Sequence, residues 1–484
     1  MLLAVAACSR APEHPVQRLA VLPFENLTGD ASLDWIASAA PAIFSTELSG
    51  NPRVIAVRAG STNEGYLAGA DRLVHGFFVK SRGGLRIDVQ VEDAARHKMV
   101  VNADATGDVL PAVSAIAKRL DSGAHPFSTA NDQAVAAWGH REYERAVAID
   151  PDFGAAWLAW AETLTQRGEQ DRAVSAAQQA LARPGLRSAE DRARIKLLLA
   201  TLRKDPAARE AAVGELVELR PLDTSLLSLA AETELNLRHF PEAVRYFKGV
   251  LRAEPGDFGV LNLLGYAQAY AGDLEAAKKS LEQYGTAAGQ KTNALDSLGE
   301  VYFIRGRFAD AEKYFLQAFQ SDASFADGAE LKKAAMARWL TGDLKGADEQ
   351  MGRYLDARRN AHDPLVAWRE ATWDFITGRR DQAMAKLADV PPQLADRQRA
   401  VWTGHVSNDL ASLKEAFFRT APAQDGEART FYAAGLIAAG QKDEARKLLE
   451  LWPLPTENGG DPTFESLVFP KFIESRRALG MPVP

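Results

Sequence analysis

Gly272-Asp-Leu-Glu-Ala-Ala277, Gly306-Arg-Phe-Ala-Asp-Ala311 and Gly342-Asp-Leu-Lys-Gly-Ala347 are three versions of one phrase. Each has a Gly, a polar turn, and an Ala five residues after the Gly. Further copies begin at Gly168, Gly378 and Gly440. From Ala243 to Ala277 to Ala311 the step is 34 residues, and on to Ala347 and Ala383 it is 36. A Gly ends a helix because it accepts φ > 0 without a Cβ clash. An Ala lets the next helix come close to the first. Around Gly306, Leu295, Leu298, Gly299 and Tyr302 mark the first helix. Ala311, Phe315 and Ala318 mark the second, spaced by four and three so that they share a face. In the preceding unit Pro255 follows Phe247 and Leu251 and closes the second helix.

Phrase and period together resemble the tetratricopeptide repeat, a stack of two-helix hairpins. The resemblance covers residues 131–452 and about eight or nine hairpins. The copies are degenerate between 186 and 220 and between 391 and 420. Tyr143, Ala146 and Pro151 end a first repeat, and Trp157, Trp160, Leu164, Ala173 and Ala180 form the second. The end of such a stack needs a cover over its last apolar face. Phe469 to Pro482 resembles the closing segment found after these repeats, so 453–484 is read as a cap, with its body at 465–479.

Residues 17–122 read differently. Arg18 to Phe24 and Val54 to Val57 are short apolar runs that fit buried strands. Leu85, Ile87, Val89 and Val91 alternate with polar residues, the period of a strand with one wet face. Ser81 to Gly84 is the hairpin turn joining it to a strand over 73–80, and Met99 to Asn102 adds another. Leu33, Ile36, Ala40, Ile43 and Phe44 mark a helix capped by Asp30 or Ser32, with Pro41 expected to kink it. Leu110, Val113, Ile116 and Leu120 mark a closing helix. Leu19-Ala-Val-Leu-Pro-Phe-Glu-Asn-Leu-Thr-Gly-Asp30, His75-Gly-Phe-Phe-Val79 and Leu85 to Asp93 resemble the TolB amino-terminal-like domain, which in bacterial signalling proteins precedes tetratricopeptide repeats. That resemblance brings no catalytic residues. It departs from the family pattern at Pro41 and in the short segment Ser61 to Asp71.

Residues 1–16 read as a signal remnant and tether. Val5-Ala-Ala-Cys8 resembles a bacterial lipobox, which implies a lipid on Cys8 and a membrane attachment. The apolar stretch before it is shorter than a signal segment needs, which points to a start further upstream.

The expected fold class is α+β multidomain: a small α/β N-terminal domain followed by an all-α tetratricopeptide-type solenoid. With 57 basic and 64 acidic side chains the net charge is −7. Such a chain lacks the basic stripe that nucleic acid requires, so no nucleic-acid partner is expected. One Cys excludes an internal disulfide and a thiolate metal cluster, and the eight His show no paired zinc spacing. The nucleophile-elbow, P-loop, metalloprotease, kinase and dinucleotide signatures are missing. The chain is therefore read as not an enzyme, with neither cofactor nor metal.

Function is expected at a surface. The side of each first helix turned away from its own hairpin yields Asn262, Tyr266 and Tyr270, then Asn293, Asp296, Glu300 and Phe303, then Lys332, Met336 and Trp339. Amides that bond a backbone and aromatics that hold side chains suit an extended peptide. The expected function is a lipid-anchored, periplasm-facing scaffold that binds a protein or peptide in this groove. The alternative is a cytoplasmic signalling protein related to TolB-like–repeat proteins, without an effector domain, since only some sixteen residues precede the α/β part.

Overall fold

The computed structural model describes residues 16–407, 409–419, 426–450 and 469–481. The chain forms two compact units, Met1–Pro255 and Gly256–Pro484.

In the first unit, strands β1 (Gln17–Val21), β2 (Glu25–Asn26), β3 (Val54–Arg58), β4 (Arg72–Ser81), β5 (Gly84–Asp93) and β6 (Lys98–Gly107) make one mixed sheet. Its order is β3-β1-β4-β5-β6, with β2 also on β4. The β1, β2 and β3 pairings are parallel, and β4-β5-β6 is an antiparallel meander. Ile87, Val89 and Val91 of β5 point into the core, as the alternation required. Helices α1 (Ile36–Leu48) and α3 (Val109–Leu120) pack together, and a one-and-a-half-turn helix α2 (Thr62–Leu67) fills the short segment before β4.

Pro41 lies inside α1. It has no N–H for the Ala37 carbonyl four residues back, and that carbonyl accepts from the Phe24 N–H instead, at 3.0 Å. The helix defect thus ties the loop after β1 onto α1. Asp30 caps a short 3-10 turn over Ala31–Leu33, ahead of α1 itself.

Four hairpins follow: α4 (Asp132–Gly139) with α5 (Tyr143–Ile149), α6 (Gly154–Gln166) with α7 (Gln170–Leu181), α8 (Ala189–Arg203) with α9 (Pro206–Leu219), and α10 (Thr224–Leu237) with α11 (Phe240–Ala253). The change of secondary structure near 122–131 is not a break in packing. One apolar core runs from Leu19 through Val113 and Phe127 to Ile195. Glu47 of α1 is buried across the junction, where it accepts from Ser114 Oγ (2.6 Å) and the Phe127 N–H (3.0 Å). Arg18 of β1 donates to Thr224 Oγ1 at 3.2 Å and pairs with Glu254.

In the second unit six hairpins pair in the same manner. They are α12 (Phe258–Tyr270) with α13 (Leu274–Tyr284), α14 (Lys291–Ile304) with α15 (Phe308–Ser321), α16 (Ala329–Leu340) with α17 (Leu344–Asn360), α18 (Val366–Ile376) with α19 (Arg380–Lys386), α20 (Pro392–Ser407) with α21 (Leu410–Arg419), and α22 (Gly426–Ala438) with α23 (Lys442–Glu450). The described residues thus hold ten hairpins. Helix α24 (Phe469–Ala478) lies on α22 and α23, and Leu479 and Met481 join their core. The part of the expected cap before Phe469 lies outside the described residues.

The recurring Ala are all fully buried, from Ala173 through Ala277 and Ala311 to Ala445. Gly299 shows why the first helix needs a small residue too. A Cβ there would sit 2.4 Å from the Phe315 ring on α15. Alanine gains up to ~1 kcal/mol of helix propensity but overpacks by ~1–3 kcal/mol, so Gly299→Ala is expected to destabilise the second unit by about 1–2 kcal/mol. Urea unfolding checks this. Adding Phe315→Leu should recover part of the loss, and additive effects would mean that the two side chains do not collide.

Candidate docking site

The residues singled out for the groove sit on α12, α14 and α16, the first helices of three successive hairpins. Asn262, Tyr266, Asp296, Glu300, Phe303, Lys332 and Met336 are buried, and Tyr270, Asn293 and Trp339 are half-buried. Phe303 and Met336 belong to the apolar core, with Phe303 edge-on to Phe308 at 5.2 Å. Asn293 is drawn into the preceding turn, where its amide donates to the Tyr284 hydroxyl at 2.8 Å. Trp339 packs edge-to-face on Trp373, ring centres 6.1 Å apart.

Two of the remaining residues, Asp296 and Glu300, are joined by one that the consensus phase missed, and Tyr266 joins them through Glu300. Lys333 Nζ donates to Asp296 Oδ1 and Oδ2 at 2.8 and 2.9 Å, and to Glu300 Oε1 at 2.6 Å. The Tyr266 hydroxyl donates to Glu300 Oε2 at 2.5 Å. A continuous polar ladder therefore crosses from α12 through α14 to α16. Its rungs recur at 33 to 37 residues, about one repeat. Lys333 takes this place, one position on from Lys332, and α16 is entered through an irregular turn. Ala326 and Asp327 both have positive φ there, where the repeat is two residues longer than the one before it.

Asp296 and Glu300 share the Lys333 ammonium, and Glu330, which feels the charges of all three, is fully buried. Neither Glu330 oxygen, nor Asn262 Oδ1, has a hydrogen-bond partner among the described residues. Burial pushes the Glu330 carboxyl up to about 7, helped by the nearby charge of Asp296. Burial also raises Asp296 to about 6, although Lys333 pulls the other way. For Lys333 itself burial opposes the charge, but Asp296 and Glu300 outweigh it and hold the ammonium well above its usual range. Burial and the Glu300 charge keep the Tyr266 phenol protonated. The arrangement fixes the register of three hairpins and presents partly open side chains beside it. Tyr270 lies one turn on from Tyr266, Asn293 one turn before Asp296, and Trp339 two turns on from Lys332.

The first unit has a polar cleft of about 1210 Å³, lined in part by Asp108, His125, Asp132, Asp150, Arg187 and Arg220. Several of its carboxylates are engaged by the chain. Asp132 accepts from the Leu110 N–H at 3.1 Å, and Asp150 accepts from the Asp152 N–H at 3.1 Å and from Thr129 Oγ1. Cys8 lies outside the described residues. Among the described residues no helix is long and apolar enough to cross a membrane.

No protein-family model matches the chain, and no curated protein does. Solved structures that it resembles include the apo form of the quorum sensor NprR from B. thuringiensis, at 13% identity over 66% of this chain and 95% of that one, with a TM-score of 0.35. Naa15/Naa10 bound to HypK-THB matches at 15% identity over 72% and 55%, with a TM-score of 0.36. MamA matches at 15% identity over 35% and 92%, with a TM-score of 0.30. Likeness at this level says nothing of what this chain binds.

Proposed function

We propose that the chain is a non-enzymatic scaffold that binds a protein or peptide partner along the α12, α14 and α16 faces. The observation that carries this is the aligned ladder on three successive first helices, bordered by half-buried Tyr270, Asn293 and Trp339. A rigid, register-locked base with aromatic and amide groups at its margin suits an extended peptide. In the finer reading a lipid on Cys8 holds the scaffold at the bacterial envelope, facing the periplasm. Its support is the lipobox-like Val5 to Cys8 and the resemblance of residues 17–122 to the TolB amino-terminal-like domain.

The test captures partners from envelope extract with the full chain and with a Tyr270→Ala/Trp339→Ala variant. Loss of two aromatic anchors is expected to weaken capture at least ~30-fold at a temperature where circular dichroism shows both proteins folded, although losing the Trp339–Trp373 contact lowers the melting transition. Equal capture by both proteins removes this face as the docking site. In the same cells a clickable fatty acid should label the wild type and not Cys8→Ser. An unlabelled wild type overturns the anchor and leaves the scaffold standing.

A further inference from the structure

We propose that Glu210, Glu234 and His239 form a binding site for a divalent transition-metal ion of the zinc class. Glu210 comes from α9, Glu234 from α10, and His239 stands at the N-terminus of α11. One ligand atom from each lies within 4.8 Å of the other two. His239 Nδ1 is 2.9 Å from Glu234 Oε2 and 3.3 Å from Glu210 Oε1. Metal–ligand bonds of ~2.0–2.2 Å in a tetrahedron place neighbouring donors ~3.3 Å apart, so these atoms already stand near coordination spacing.

Backbone geometry builds the convergence. Arg238 takes a left-handed conformation, φ 65°, and turns the chain back so that the His239 N–H donates to the Glu234 carbonyl at 2.9 Å. The imidazole is thereby set over the end of α10, where Glu210 reaches it from α9. In two other repeats the same turn positions hold an ordinary ion pair, Arg338 with Asp343 and Arg379 with Asp374, each at 2.7 Å. Here the pair is imidazole and carboxylate, and a neighbouring helix adds a second carboxylate. Nδ1 carries at most one proton, which it donates to one of the two acids at a time. A bound divalent cation would serve all three donors together.

One imidazole nitrogen with two carboxylates suits zinc, cobalt or nickel better than magnesium or calcium, which favour oxygen alone. Glu242, in the first turn of α11, adds a further negative charge near His239. The Glu234 side chain is mostly buried, whereas those of Glu210 and His239 are 37% and 48% exposed. The centre is thus anchored on one side and open on the other, with room for a water as fourth ligand. Bound metal would clamp two consecutive hairpins. The three ligands come from three helices, 24 and 5 residues apart, so no short ligand motif in the sequence announces them.

The test titrates ZnCl2 into the full chain by calorimetry, with MgCl2 as the comparison. Wild type is expected to bind one zinc and no magnesium. Glu210→Gln leaves the His239–Glu234 pair in place and should weaken zinc at least ~10-fold without shifting the metal-free melting transition. His239→Ala should abolish binding, and Cys8→Ser should leave it unchanged. CoCl2 should give a d–d absorption without a thiolate charge-transfer band. The proposal is overturned if wild type binds no zinc, if both site variants bind it as wild type does, or if magnesium binds equally well.

Discussion

Replacing Lys333 with Met lowers the unfolding free energy of the second unit at pH 7 by about 3–5 kcal/mol, the cost of stranding buried charge. The methionine fills similar volume, so the loss is electrostatic. Without the ammonium, Asp296 loses both of its short hydrogen bonds from Nζ, and Glu300 keeps only the Tyr266 hydroxyl among the bonds described here. Two carboxylates, with Glu330 nearby, must then either stay charged in a dry interior or take up protons from neutral solvent. Both routes cost free energy. The second becomes cheaper in acid, so the loss should shrink at pH 5. A Lys333→Met/Asp296→Asn/Glu300→Gln variant removes the stranded charges and should recover much of the stability. Urea unfolding followed by circular dichroism reads all three proteins. A loss below ~1 kcal/mol for Lys333→Met, the range of an exposed ion pair, would show that water reaches the ladder.

The hairpins were legible because their turns use glycine. Gly272 and Gly306 have φ of 95° and 70°, and the phrase built on them marks each turn. Where another residue takes the same conformation the signal vanishes. Lys204 and Arg238 sit at φ 53° and 65° and end α8 and α10 as a glycine would. That is why the stretch from 186 to 220 looked degenerate although its helices pair normally. Strand β5 was legible from alternation and β1 and β3 from their short apolar runs, whereas the two residues of β2 are too few to show a period. The ladder was only half legible. Consensus phase singled out Tyr266, Asp296 and Glu300 but missed Lys333, which bonds Asp296 and Glu300. Lys333 stands one position past the consensus lysine, and only the bonds from its Nζ to α14 reveal it. Burial of the set was also hidden, because periodicity assigns a face to a helix without saying how closely the next hairpin covers it.

The fully buried Glu330 predicts an inverted pH response. Its carboxyl is ordinary in the unfolded chain, near 4.5, and is raised to about 7 by burial and by Asp296 in the folded one. Below pH 4.5 both states hold the proton and Glu330 contributes no pH dependence. From there to pH 7 the unfolded chain ionises first, so unfolding releases a proton and stability falls as pH rises. Above pH 7 both states are ionised and the penalty stays constant, on the order of 3 kcal/mol at 1.36 kcal/mol per unit. Asp296, raised to about 6, adds to the fall with the same sign. Glu330→Gln removes the first contribution and keeps the second. The amide still has to be buried, so the two proteins need not match in absolute stability. The difference between their curves is the signal: relative to wild type, the variant should gain about 3 kcal/mol between pH 4.5 and pH 8. Urea midpoints measured at half-unit steps give both curves. Parallel curves would mean that Glu330 ionises equally easily in the two states and that burial does not raise its carboxyl.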